Sequence, residues 1–438
     1  MPPLPTRLLE GWIDPEVLFL GGPARAPHGF WLDAGPTAHT GWSWLGLGTP
    51  DAPDLVALVC EPDGRTVGAF PGGWVGWLGY DAGAAAAGAP AESGEPAAAW
   101  LRVDRFVAID HAAREIWLHA PAAELDAFDR DVRAWARVGT ATAAPRVAPT
   151  AEATARDTPA RYAALIEECR AAIRAGEAYQ LCLTTRFEVA ASGTALDPVA
   201  SYLHLRHAQP AHHGGFIRSG EWALASASPE QFLSLSGGTI RTRPIKGTRP
   251  RHTDPAVDRA RAAELVSSEK ERAENVMIVD LMRNDLQRVC APGTVAVERL
   301  LEVESYPAVH QLVSTVAGRL VPGTTVGEVM DAAFPAGSMT GAPKLSAMTI
   351  LHRLERAPRG VYAGCFGWIG VDGSADLAMV IRSIVFGPGG AYVGAGGGIT
   401  WLSDPAAEVA EVAVKARAPL AAVGGRLPSG WADAHTGW

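Results

Sequence analysis

Lys246 stands in the run Pro244-Ile245-Lys246-Gly247-Thr248-Arg249-Pro250-Arg251, between a strand-like stretch and a glycine turn. A lysine held out of water at such a place has a lowered pKa, and its free amine is a nucleophile. A lysine in a basic loop is ordinarily solvated, and spacing alone leaves both readings open. Two glutamate pairs form a second constellation: Glu271 with Glu274, and Glu408 with Glu411. The i,i+3 spacing sets each pair on one face of a helix. Facing each other, the four carboxylates would hold a hard cation such as Mg²⁺, which can accept a substrate carboxylate and waters. Apart, they make ordinary ion pairs along their helices, such as Glu411 with Lys415. Two small-residue segments complete the set. Gly394-Ala395-Gly396-Gly397-Gly398 offers bare backbone N–H groups to an anion. Gly337-Ser338-Met339-Thr340-Gly341-Ala342-Pro343-Lys344 leads into a helix whose start favours negative charge.

These residues need a scaffold to converge. Helical spacing covers Ala160–Ala175, closed by Gly176, and a long charge-paired stretch covers Ala256–Leu286. A closing helix runs from Pro405 to about Ala418. Strands are expected at Gly73–Tyr80, Phe106–Ile109, Ile116–Leu118, Tyr179–Val189, Val361–Val371, Ala378–Phe386 and Ala391–Ala395. Phe232–Ser236 and Thr239–Arg243 flank Gly237-Gly238, a two-residue hairpin signal. With hairpin neighbours dominating, the class is α+β, large antiparallel sheets packed together with helices outside. Val138–Ala160, rich in Ala, Thr and Pro, separates an N-terminal region (1–150) from a larger C-terminal one (158–425).

A net charge of −9 excludes a nucleic-acid surface, which needs clustered Lys and Arg. No apolar run nears the roughly 20 residues that span a bilayer, and only Val17–Leu20 is apolar near the start, with no basic leader. The chain is therefore expected in the cytoplasm. Five scattered cysteines without a Cys-x-x-Cys pair suit reduced thiols, not a disulfide framework or zinc site.

Taken together, Ser228–Phe232, Pro244–Arg251, Lys270–Leu286, Pro335–Lys344, Tyr362–Gly367, Ile381–Ser383 and Gly396–Ile399 resemble the chorismate-utilising enzymes, in order and spacing, from about Thr158 to Ala418. The resemblance implies that family's fold and an Mg²⁺ site in which Glu274 and Glu411 bind directly, Glu271 and Glu408 through water. It implies that Tyr362, Arg382 and the backbone near Gly398 hold the enolpyruvyl carboxylate. Gly337, Ser338, Thr248 and His310 join them as substrate-binding candidates. Lys246 would be the nucleophile at C2 of the ring, and Glu230 the general acid for the departing C4 hydroxyl.

Within the family, lysine at position 246 resembles the aminodeoxychorismate synthases, and anthranilate synthase is the alternative branch. The water-adding members carry a lysine base where Gln180 stands, so ammonia is the expected nucleophile here. Two positions depart from the common pattern: Cys182 replaces Asn, and Gln311 replaces His, with His310 one place earlier. No cysteine has a glutaminase setting, which implies a separate glutamine amidotransferase partner. Gly73–Asp81 resembles the strand that binds feedback tryptophan in anthranilate synthases, with Leu8-Leu9-Glu10-Gly11 in place of that site's serine-ended string. It marks a possible aromatic-ligand pocket.

Overall fold

The β-rich segments pair antiparallel throughout, and in the computed structural model they build two sheets, of twelve and ten strands among the described residues. Those are residues 4–61, 68–92, 96–142, 147, 152–191, 196–306 and 309–433. Part of the predicted linker, 143–146 and 148–151, lies outside them. The α+β expectation holds. Strand alternation explains the layering: in His28–Asp33, Phe30 faces the core between the sheets and Trp31 faces the helices on the far side. Phe232, Trp77 and Phe366 join the inter-sheet core, while Phe19, Tyr162 and Phe187 pack under the outer helices. Truncating any of these buried rings should cost about 3–5 kcal/mol.

The N-terminal region does not fold apart from the rest. Its strand His28–Asp33 pairs with His213–Ser219, and Gly73–Leu78 pairs with Cys365–Gly370, so each sheet contains strands from both halves. The hairpins at Phe106–Asp110/Glu115–His119 and Gln231–Ser236/Thr239–Thr242 form as predicted, the latter with Ser236 opposite Thr239.

Three predicted elements are interrupted, each near the site. The stretch Ala256–Leu286 is two helices, Pro255–Ser267 and Glu269–Gln287. Ser268 ends the first with an extended backbone and caps the second by accepting from the Glu271 N–H. Ala378–Phe386 is two strands, Ala375–Met379 and Ser383–Gly387, parted by Arg382 in the left-handed region at φ 52°. Val361–Val371 becomes a strand only from Cys365. The strand expected at Ala391–Ala395 runs on through the glycines as Gly390–Ile399, paired along Gln180–Ala190, so Gly394–Gly398 is strand and not a loop. No helix of the described residues is long and apolar enough to cross a membrane.

Candidate active site

A cavity of about 470 Å³ opens where the two sheets and two helices meet. The strand Ile245–Pro250 supplies Lys246 and Thr248, and the residues just before Gln231–Ser236 supply Glu230. Helix Glu269–Gln287 brings Glu271 and Glu274, helix Pro405–Ala422 brings Glu408 and Glu411, and Arg382 projects from its strained turn. Tyr362, Ser338 and Gly398 line the same cavity. Strict alternation continued from the hairpin Gln231–Ser236/Thr239–Thr242 would point Lys246 and Glu230 to opposite faces. The Lys246 strand departs from that hairpin, pairs with Val309–Arg319, and shifts register between Ile245 and Thr248. That irregularity lets Lys246 and Glu230 line one cavity.

Glycine makes the close approaches possible. A side chain at Gly394 would collide with the Tyr362 ring at 2.1 Å, so that ring lies against bare backbone. At Gly398 the first carbon of a side chain would lie 2.4 Å from Gln180 Nε2 and 3.5 Å from Lys246 Nζ.

Two predicted members lie elsewhere. His310 is buried away from the cavity, its Nε2 3.0 Å from Asp258 Oδ1 and its Nδ1 2.7 Å from the Ser305 hydroxyl. Gln311, the next residue of the strand, lines the cavity in its place. Gly337 is absent from the lining because it packs on helix Glu269–Gln287, where a side chain would strike Leu281 at 2.5 Å. Lys270 and Lys415 also line the cavity, and neither was singled out as a site residue. The motif spacing places Lys270 on the carboxylate helix, but only the packing of a remote helix brings it within 3.5 Å of Glu408.

The electrostatics follow from burial against counter-charge. Burial pushes the Glu230 carboxyl up to about 7, despite Lys246 nearby. For Lys246 the expected lowering is reversed. Burial pulls its amine down, but Glu274, Cys182, Glu230 and Glu411 push it up and prevail, so it is held above the ordinary lysine range. Glu274 and Glu408 are raised, chiefly by burial. Lys415, 2.7 Å away, holds Glu411 down at about 2. Burial lowers the Arg382 guanidinium, with Glu411 opposing.

Among the described residues, no three Asp, Glu, His or Cys side chains gather closely enough to hold a metal ion. The donor set nevertheless suits a hard cation, because the Lys270 ammonium already sits 3.9 Å from Glu274 and 3.5 Å from Glu408 and stands in for one. Gln311 Oε1, in the cavity lining, is buried without a hydrogen-bond partner among the described residues, as in a pocket shaped for a polar ligand, and both amide atoms of Gln180, packed against Gly398, likewise have none. All five cysteines are free and buried, as the sequence suggested.

A second cavity, of about 600 Å³, lies between the sheets and is lined by Trp42, Trp44, Trp368, Tyr306 and His212. Neither Gly73–Asp81 nor Leu8–Gly11 reaches it: the first is mostly a mid-sheet strand, and Leu8-Leu9 pairs with Trp117 and Ile116 at a sheet edge.

The sequence profile of the chorismate binding enzyme family matches residues 53–421. The chain is similar to the aminodeoxychorismate synthase of Streptomyces pristinaespiralis, 43% identical over 367 residues, with 80% of this chain and 50% of that protein covered. It thus spans half the length of that relative. It is also similar to anthranilate synthase component 1 of Streptomyces coelicolor, 39% identical over 459 residues, covering 96% of this chain and 88% of that protein. The crystal structure of anthranilate synthase component I from Streptococcus pneumoniae has a TM-score of 0.71 at 28% identity, over 95% of this chain and 92% of that one.

Proposed function

The chain belongs to the chorismate-binding enzyme family, and from that premise we propose that it joins ammonia to chorismate at C4, giving 4-amino-4-deoxychorismate. The product would feed 4-aminobenzoate and folate synthesis. The observation that carries this reading is Lys246, brought over the Gly398 backbone into one cavity with Glu230. The resemblance of Pro244–Arg251 to the aminodeoxychorismate synthases gives it the direction of attack.

Tyr362, Arg382 and the backbone at Gly398 hold the enolpyruvyl carboxylate, and a guanidinium fork suits that planar anion. Ser338 and Thr248 flank the ring. Lys246 begins as an ammonium and Glu230 titrates near 7, so the first step passes a proton from Lys246 to Glu230. The free amine attacks C2. The ring double bond shifts, the C4 hydroxyl leaves, and Glu230 returns the proton so that water departs. Ammonia then adds at C4 as the Lys246 amine leaves C2, and the enolpyruvyl ether is retained. Mg²⁺, held by Glu274 and Glu411 with Glu271 and Glu408 through water, would supply a counter-charge for the ring carboxylate.

Ammonia comes from a glutamine amidotransferase partner. Burial raises the thiols of all five cysteines in this chain, the reverse of what an activated glutaminase nucleophile needs. Reduced thiols also suit a cytoplasmic location. The aromatic lining of the second cavity supports a small aromatic ligand there, which calorimetry with tryptophan would detect.

The test is the product formed from chorismate, Mg²⁺ and excess ammonium at alkaline pH. A product that a separate lyase, added to remove pyruvate, converts to 4-aminobenzoate supports the reading. Anthranilate as the main product would move the chain to the other branch.

A further inference from the structure

Behind the cavity wall lies a buried cation that the reaction does not consume. Arg359 is 3% exposed, and its guanidinium makes four hydrogen bonds. Two form a fork on Glu355, Nε to Oε2 at 2.8 Å and Nη2 to Oε1 at 2.7 Å. The others donate to two backbone carbonyls, Nη1 to Met339 at 2.7 Å and Nη2 to Cys182 at 2.8 Å. The Tyr80 ring lies 4.2 Å beneath the guanidinium. Glu355 Oε1 also accepts the Thr184 N–H at 2.9 Å and the Thr184 hydroxyl at 3.0 Å. Helix Lys344–Glu355 ends with Arg356 at φ 53°, a left-handed turn that brings Arg359 back over Glu355.

The anchored segments converge on one place. Cys182 and Met339, with its neighbour Ser338, line the candidate active site, and so does Tyr362, three residues beyond Arg359. The link to Tyr362 is itself clamped. Asp81 accepts the Arg359 N–H at 3.3 Å and the Gly360 N–H at 2.7 Å, and the Tyr392 hydroxyl accepts the Val361 N–H at 2.9 Å. Asp81 and Tyr80 come from the N-terminal half, which thereby reaches the catalytic wall.

We propose that Arg359 is a positioning residue for the reaction: one guanidinium holds the Cys182 and Met339 backbones in register, and with Asp81 it sets the segment that carries Tyr362. The proposal rests on the chorismate reading of the cavity. A guanidinium is required because its donors are fixed in a plane and reach a carboxylate and two carbonyls together. A lysine at the same position is a point donor on a flexible stem and cannot span all three acceptors. A buried carbonyl that loses its donor moves to find another, and the cavity wall moves with it.

The experiment compares wild type, Arg359→Lys and Asp81→Asn by hydrogen–deuterium exchange and by kinetics with chorismate, Mg²⁺ and ammonium. Arg359→Lys should raise exchange in the peptides covering 181–186 and 336–342, with the rest of the chain unchanged. Its kcat should fall about 10- to 100-fold, as expected when reacting groups shift by an ångström, while KM for chorismate moves less than about threefold. Asp81→Asn keeps the Glu355 fork but weakens the clamp at 359–360. It should raise KM about fivefold with kcat near wild type, through Tyr362. If Arg359→Lys fails to fold, this KM effect decides. Unchanged exchange at both segments, or exchange that rises uniformly with kcat and KM per folded molecule intact, overturns the proposal. A wild type that leaves chorismate untouched overturns the chorismate reading instead, and a local exchange response then still supports the anchoring.

Discussion

The molecule buries titratable groups in two cavities and treats them in opposite ways. In the aromatic cavity His212 stacks on Tyr306 at 4.6 Å, and burial drives its imidazole down to about 2, with His213 and Arg243 adding to the effect. It is therefore neutral at any ordinary pH. In the other cavity burial acts on Lys246 as well, yet the carboxylates around it keep the ammonium charged. Desolvation works against charge in both places, and counter-charge decides the result. A cavity that retains charge in spite of burial can move protons and bind carboxylates. One that discards charge offers shape and aromatic surface.

The comparison breaks most sharply at Glu230, which should titrate near 7 if the cavity works as described. Glu230→Gln should lower kcat about 10²–10⁴-fold, the usual worth of a general acid, measured with saturating chorismate and ammonium. With wild type, kcat/KM corrected for free ammonia should rise as pH rises through about 7, because the ionised Glu230 carboxylate is the form that takes the proton from Lys246. Stability should respond in the opposite sense. The folded pKa is raised, so wild type loses stability between about 4.5 and 7 as the buried carboxyl ionises. Above that range Glu230→Gln should unfold at higher denaturant than wild type, by at most ~3 kcal/mol, with no such gain at pH 4.

Arg382→Lys tests the carboxylate clamp. The ammonium keeps the charge but loses the fork, so KM for chorismate should rise about tenfold with a smaller change in kcat. A smaller effect is expected at Lys270, the cation standing between Glu274 and Glu408. Lys270→Met should tighten Mg²⁺ binding about threefold in calorimetry with the metal alone, and weaker binding would show that those carboxylates are not its ligands. The smallest effect belongs to the aromatic cavity. His212→Phe removes a group already neutral, so stability should change by less than ~1 kcal/mol and turnover should stay near wild type.

Much of this site is legible in the sequence because its chemistry is local. Lys246 beside Gly247 and the two i,i+3 glutamate pairs stand out by residue type and spacing, the family resemblance gives them roles, and their cavity is where the motifs meet. The division of the long helix was missed although its signal is in the sequence: Ser268 with Glu271 three residues on is a capping pattern inside an apparently continuous stretch. The break at Arg382 carries no such mark, since a left-handed arginine is held by surrounding structure and not by its own preference. The choice of Gln311 over His310 depends on how one strand lies against Pro255–Ser267, and the joining of both halves in each sheet depends on pairings far apart in sequence. The sign of the Lys246 shift was missed for the same reason. Burial can be read from a motif, but the carboxylates that outweigh it come from three other segments.

The most direct test of this account is the product mixture of Lys246→Ala beside wild type, with chorismate, Mg²⁺ and excess ammonium. The account predicts 4-amino-4-deoxychorismate from wild type, and a loss of about 10³-fold or more in the variant, which lacks the nucleophile at C2. Wild-type levels of the same product from Lys246→Ala would contradict it, because ammonia would then reach C4 without the lysine.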